Sequence, residues 1–384
     1  MKVAVVHHSL NISGGAERLC LAVTEALLRR GHEVSLVTVE KTDWDLVQSR
    51  FGTKVMPTKE VYATECRFSK NLASIPVASM YFLTYTLQLL LAKSKNEYHV
   101  TINTFGDIIN SIADITYMHF PLRAALEFSQ VPGFTNKSMW QTIAPIYNST
   151  MTLLDRITPG DLLTNSKFTQ EIVRKALHRN SLVVYPPVDT MTFSSNCSRD
   201  RKEGDTVAVI ASYTPKRHLE QVPSIARHSK FAKFIIMGKV DEYSRPTLKK
   251  LRDYMNRLHV EDRVTLSQNV PFKELLEVLA KAKVYLHIMP HDHFGISVVE
   301  AMASGCVPIV HRSGGPWTDI LDGQQGMYGF SYSTASEAAM YIDRLVTDED
   351  LRSKIALRAS YRARRFDKAV FMKRIVEVVE QIAG

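Results

Sequence analysis

The sequence predicts an α/β protein of two Rossmann-like domains facing one another, each built on a parallel sheet. Three observations carry that expectation. Short apolar runs alternate with helical patterns in both halves of the chain, as strand–helix–strand units do. The runs are near-continuous rather than alternating, which suits strands covered by helices on both faces. At 384 residues the chain is also too long for one core and fits two domains of ordinary size.

Taken in order, Lys2 to His8 is a first strand. Ser13-Gly14-Gly15-Ala16-Glu17-Arg18 then opens a helix that runs to about Arg30 and stops at Gly31. Glycines after a first strand allow a ligand close to the backbone; the plain alternative is a tight turn capped by Ser13. The pattern is not G-x-G-x-x-G and no acidic residue follows the second strand in a ribose position, so a nicotinamide cofactor is disfavoured. His32 to Val39, Tyr98 to Asn103 and Ile115 to Met118 read as further strands, the last running into His119-Phe120-Pro121. A His at the carboxyl end of a parallel strand faces the crevice where such sheets bind ligands. Asp161 to Thr164 is a strand before a capped helix, and Leu182 to Asp189 a strand ended by Pro186-Pro187. Residues 194–205 are polar and apolar-poor, the best linker candidate.

The second half restarts with the strand Val207 to Ser212, the loop Tyr213 to His218 and a helix from about Leu219. Strands at 234–239 and 264–267 flank a charged helix, 243–258, and a helix over 271–282 follows. Then comes the most informative stretch. Val284 to Ile288 reads as a buried strand, His291-Asp292-His293-Phe294-Gly295 as a loop, and Ser297 to Ala303 as a helix closed by Gly305. Asp292 and Glu300 bracket the helix start. Amides there favour an anion or a sugar hydroxyl, and a carboxylate a turn further in accepts a vicinal diol, which outlines a sugar-nucleotide site. A strand at 307–311 leads to Ser313-Gly314-Gly315-Pro316, either a ligand-facing turn or simply a tight one, and the end of the chain is helical.

Composition narrows the class. A chain 45% hydrophobic and 23% charged is that of a soluble globular protein. The net charge of +9 reflects either general solubility or attraction to anionic headgroups or phosphorylated substrates. The basic residues are dispersed and no recognition module is present, which argues against nucleic acid. Cys20, Cys66, Cys197 and Cys306 lie far apart, implying a reducing compartment with neither a disulfide framework nor a zinc motif. No secretory leader is read at the start. Asn71 to Ala92 carries no charge, but Pro76 and scattered polar residues favour a buried or surface-lying helix over a membrane span.

Arg217, with Lys216 beside it, sits in a strand-to-helix loop and is suited to holding a departing diphosphate; a solvated surface pair is the alternative. No Asp-x-Asp is present, so a metal-bridged diphosphate is not indicated and no metal is expected.

Several of these stretches together resemble the retaining glycosyltransferases of family four. They are Gly14 to Arg18, His119-Phe120-Pro121, Asn165 to Thr169, Tyr185-Pro186-Pro187, Pro215-Lys216-Arg217, the 291–305 stretch and Ser313 to Pro316. The chain most resembles the branch of mannosyltransferases that extend dolichol-linked oligosaccharide on the cytosolic face of a membrane. The resemblance implies the GT-B fold, with domains at 1–193 and 206–364, the linker at 194–205, and residues 365–384 crossing back onto the first domain. It implies that Glu300 binds the nucleotide ribose and that Asp292, where the family has Glu, lies near the donor sugar. Phe294, Gly295 and Ile296 offer backbone amides, and His119 lies beside the reacting sugar. Arg217 holds the diphosphate with Lys216, Ser212 replaces an expected Arg, and Gly14 and Gly15 border the phosphates or acceptor. The implied reaction moves a hexose, best mannose from GDP-mannose, with UDP-sugars as the other donor class. The acceptor is a glycan linked to a polyprenyl diphosphate. No cofactor beyond the sugar nucleotide is needed, and the protein would be cytoplasmic and peripheral at an anionic membrane. Acceptor choice falls to loops 58–73 and 127–140. The rival readings are a sugar-nucleotide-binding protein without transfer, a GT-B-type epimerase, and a dehydrogenase.

Overall fold

The computed structural model describes the chain except residues 13, 66–76, 107–111, 122–123, 125–159, 197–201, 203 and 241–243, and the side chains of 77–84. The Ser13 cap, Cys66, Cys197, the 66–73 half of one expected acceptor loop and all of the other, 127–140, lie outside the described residues, while residues 59–64 of the first form a strand rather than a loop. Two compact units result: Met1–Pro187 with Lys368–Gly384, and Val188–Asp367. The division falls before the polar stretch at 194–205. Residues 188–193, placed from the sequence in the first domain, belong to the second unit, where Phe193 is buried with its ring 5.8 Å from Phe272.

In the first unit the strands are β1 (Lys2–Val6), β2 (Glu33–Glu40), β3 (Lys59–Thr64), β4 (Val100–Asn103), β5 (Ile115–Met118), β6 (Asp161–Thr164) and β7 (Leu182–Val183). They form a sheet of order β3-β2-β1-β4-β5-β6-β7 with every pairing parallel. Strand order reverses between β1 and β4, and a crevice opens at the carboxyl ends of such a pair. Helix Gly15–Arg29 turns Leu19, Cys20, Val23 and Leu27 inward, and the chain leaves it through Gly31 at φ +86°. Helix Lys368–Ala383 joins the same core through Phe371, Ile375, Val378 and Val379. Such side chains contribute on the order of 1.5–3 kcal/mol each when buried. Arg30 to Glu380 (2.7 Å) and Lys368 to Glu25 add ion pairs at its rim. Helix Val77–Ser94 lays Leu87 and Leu91 against Val6, Val37 and Val39. Among the described residues no helix is long and apolar enough to cross a membrane.

The second unit contains β8 (Thr206–Ile210), β9 (Lys233–Gly238), β10 (Val264–Gln268), β11 (Val284–His287), β12 (Val307–His311) and β13 (Phe330–Tyr332). Their order is β10-β9-β8-β11-β12-β13, again all parallel, with the reversal between β8 and β11. Val207, Val209, Phe234, Ile236, Leu286 and Ile309 supply the sheet side of its core. β3 and β13 were not expected from the sequence: one opens on Lys59-Glu60, and the other is three residues long.

Candidate functional site

At the carboxyl edge of the second sheet, β11 ends at His287 and the chain turns through His291, at φ +53°, into Asp292. His287 Nε2 lies 2.9 Å from Asp292 Oδ2. Burial alone would raise the Asp292 pKa, but the hydrogen bond and charge of His287 outweigh it and hold the carboxyl well below its usual range. Asp292 is thus a fixed carboxylate. The turn after β12 braces this loop. Ser313 Oγ accepts from His291 N (2.8 Å), and Gly315 N donates to Asp292 O (2.8 Å). A Cβ on Gly314, whose φ is +74°, would lie 2.4 Å from Asp292 O, and one on Gly315 would lie 2.4 Å from His293 O. Of the two readings of Ser313 to Pro316, the tight turn has a structural purpose: its glycines allow two backbones to touch.

Gly295, at φ +94°, begins helix Ile296–Ala303. Phe294 points its ring into the unit's own core, 5.4 Å edge-on to Phe366, so its backbone is the part at the helix start. Glu300 is buried on this helix. Tyr285 donates to Ser297 Oγ (2.7 Å), tying the helix to β11. Beyond β8, Ser212 is half-buried, and Lys216 and Arg217 lie in the short turn Pro215–Arg217. Arg217 Nη1 is 3.0 Å from Met289 Sδ, and its charge helps to lower the Asp292 pKa. Burial, then repulsion from Arg217, lowers the Lys216 pKa. The structure therefore gathers Asp292, Phe294, Gly295, Ile296, Glu300 and Arg217 around one edge.

In the first unit His119 follows β5 and is half-buried. Its Nε2 lies 3.1 Å from Thr104 O, and a carbonyl only accepts, so this nitrogen carries the hydrogen. The Asn165 to Thr169 stretch proves to be its anchor: Asn165 Nδ2 donates to His119 O at 2.9 Å, while Ser166 caps helix Lys167–Leu177. Gly14 is the extended N-cap residue of helix Gly15–Arg29, with no side-chain cap, and a Cβ on it would lie 2.7 Å from Glu17 Oε2. Beside it stand His7 and His8, whose rings are 4.7 Å apart, and Phe105, 4.2 Å from His8. Burial first, then the neighbouring His7, drives the His8 pKa down to about 3. Burial would raise that of Glu17, but the His7 contact lowers it on balance.

Sequence reasoning missed two groups: His287 as the partner of Asp292, and the grouping of His7, His8 and Glu17. A His closing a buried strand five residues before an acidic loop residue was the available signal for the first.

Comparison with known proteins bears on the same regions. The family described as glycosyl transferases group 1 matches residues 198–362. The GDP-Man:Man(3)GlcNAc(2)-PP-Dol alpha-1,2-mannosyltransferase of Neurospora crassa is 29% identical over 281 residues, covering 65% of this chain and 49% of that protein. The Dictyostelium discoideum protein of the same name is 24% identical over 330 residues, covering 82% of this chain and 65% of its own. The chain thus spans about half to two thirds of the length of these relatives. Among solved structures, Anabaena Alr3699/HepE in complex with UDP superposes with a TM-score of 0.75 at 17% identity, over 99% of this chain and 100% of that one. The fold is therefore the two-domain α/β fold of GT-B type. The resemblance to family four is corrected: the match is to glycosyl transferases group 1 and to GDP-mannose-named relatives, and nothing in it singles out family four.

Proposed function

We propose that the chain is a glycosyltransferase that moves a hexosyl group from a nucleoside-diphosphate sugar to a glycan acceptor. The observation that carries this reading is the Asp292 carboxylate, held by His287 at the strand-order reversal one helical start away from buried Glu300. In this reading Glu300 accepts the pentose hydroxyls, and amides from Phe294 to Ile296 meet the sugar and phosphates. Arg217 and Lys216 stabilise the diphosphate as it leaves, with Ser212 lining the same loop. His119 and the Gly14-Gly15 turn are assigned to the reacting sugar and the acceptor. The bond from the anomeric carbon to the diphosphate oxygen breaks, one to the acceptor oxygen forms, and the acceptor proton passes to the departing diphosphate. Same-face attack gives retention.

The names of the relatives support GDP-mannose as donor and a polyprenyl-diphosphate-linked glycan as acceptor. The UDP bound by the Anabaena protein keeps UDP-sugars as the alternative. The net charge of +9 suits a cytoplasmic enzyme peripheral to an anionic membrane. The test offers GDP-mannose, UDP-glucose and UDP-N-acetylglucosamine with and without lipid-linked acceptor, and follows nucleoside diphosphate release. Acceptor-dependent release of GDP is expected. Conversion of donor without acceptor means an epimerase, and tight binding without turnover a binding protein; either result removes the transferase reading.

A further inference from the structure

We propose that His7, His8 and Glu17 form a binding site for a divalent transition-metal ion of the zinc class. One ligand-capable atom from each lies within 4.8 Å of the others. His7 Nε2 and Glu17 Oε1 are 3.7 Å apart, and both side chains are almost wholly buried. Ligands about 2.0–2.1 Å from a tetrahedral ion stand only a few tenths of an ångström closer to each other than that.

The tautomer of His7 follows from its neighbours. The Thr104 hydroxyl donates to Val6 O (2.9 Å), so toward His7 Nδ1, also at 2.9 Å, Thr104 Oγ1 acts as acceptor. His7 Nδ1 then carries a hydrogen, and Nε2 is the ring atom turned toward Glu17. Nε2 has no hydrogen-bond partner, and neither does His8 Nδ1, although both atoms are buried. A buried lone pair aimed at a carboxylate is unfavourable unless a cation or a proton lies between them. An ion satisfies the imidazoles and the carboxylate together, with Thr104 orienting His7 as outer-shell partners do.

Two imidazoles and one carboxylate with a fourth position open match zinc and cobalt rather than magnesium, which demands oxygens in an octahedron. No local motif such as Asp-x-Asp or C-x-x-C marks these ligands, which join the end of a strand to the first turn of a helix.

The competing account is a protonated His7 paired with Glu17 and no metal. The full chain, stripped with chelator and dialysed, is titrated calorimetrically with zinc chloride, and separately with cobalt chloride while the visible ligand-field bands are followed. One ion per chain is expected in excess of what a His8→Gln, Glu17→Gln double variant binds. Each single variant should weaken zinc at least about tenfold, Thr104→Val should weaken it without removing a ligand, and magnesium should give no signal. His8 is only half-buried, so His8→Gln remains informative if Glu17→Gln fails to fold, which circular dichroism would reveal. Equal zinc binding by the wild type and the double variant, or none by either, overturns the proposal.

Discussion

In the second unit all the groups gathered at the carboxyl edge of the sheet except Arg217 come from one stretch, His287 to Glu300, braced by Ser313 to Gly315. In the first unit they come from four separate places: His7 and His8 after β1, Glu17 on the first helix, Thr104 and Phe105 after β4, and His119 after β5. A site made from one loop takes its shape from that loop's own turns and glycines. A site made from four places takes its shape from strand register, and so from the core beneath it. The first kind should fail through local backbone changes and the second through distant loss of packing.

The largest effect should come from Asp292→Asn, which keeps shape but removes the fixed charge: kcat/KM falls about 10²–10³-fold while donor binding persists. Steady-state rates within threefold of wild type would remove Asp292 from the chemistry. Next, Ile375→Ala, fully buried in the first unit's core, costs about 2–5 kcal/mol. In urea unfolding only the transition of the first unit should move to lower denaturant. Movement of both transitions together would mean that the two edges do not differ in what supports them.

Gly314→Ala sharpens the contrast. It forces a Cβ against Asp292 O in a left-handed backbone, and displacing the loop by about an ångström should lower kcat/KM by about tenfold to a hundredfold. Gly323→Ala, also at positive φ (+65°) but with nothing within 4 Å of the new Cβ, should cost only stability. Equal rates for the two variants would reject the bracing role. The smallest effect is on pH. In His287→Gln the partner that lowers the Asp292 pKa is gone and burial then raises it, so the acid limb of the rate profile moves to higher pH. A carboxyl depressed in the folded state contributes stability above its unfolded pKa of about 4, lost as pH falls through the folded value. The variant should lose that contribution.

The same contrast explains what could be read from the sequence. The 284–305 stretch was legible because strand, glycine turn and helix follow one another in order. Asp292, Gly295 and Glu300 were named from spacing alone, although the grip of His287 on Asp292 was not. His119 was singled out by its place after a strand, but its anchors at Thr104, Asn165 and Thr169 involve pairings up to fifty residues apart that no local pattern records. His7, His8 and Glu17 were each read as part of an element, and only the fold brings their ring and carboxylate atoms together. β3 and β13 were missed because pairing with β2 and β12, rather than their own composition, makes them strands.

Helix Lys368–Ala383 has a consequence for how the protein is made. During synthesis the ribosome completes every residue of the second unit before this helix emerges. The unit begun first is therefore finished last, and until then Leu19, Val23 and their neighbours lack part of their cover. Until then the first unit should offer chaperones an apolar face, and a stop codon placed ahead of Lys368 should cripple that unit although the second is already complete.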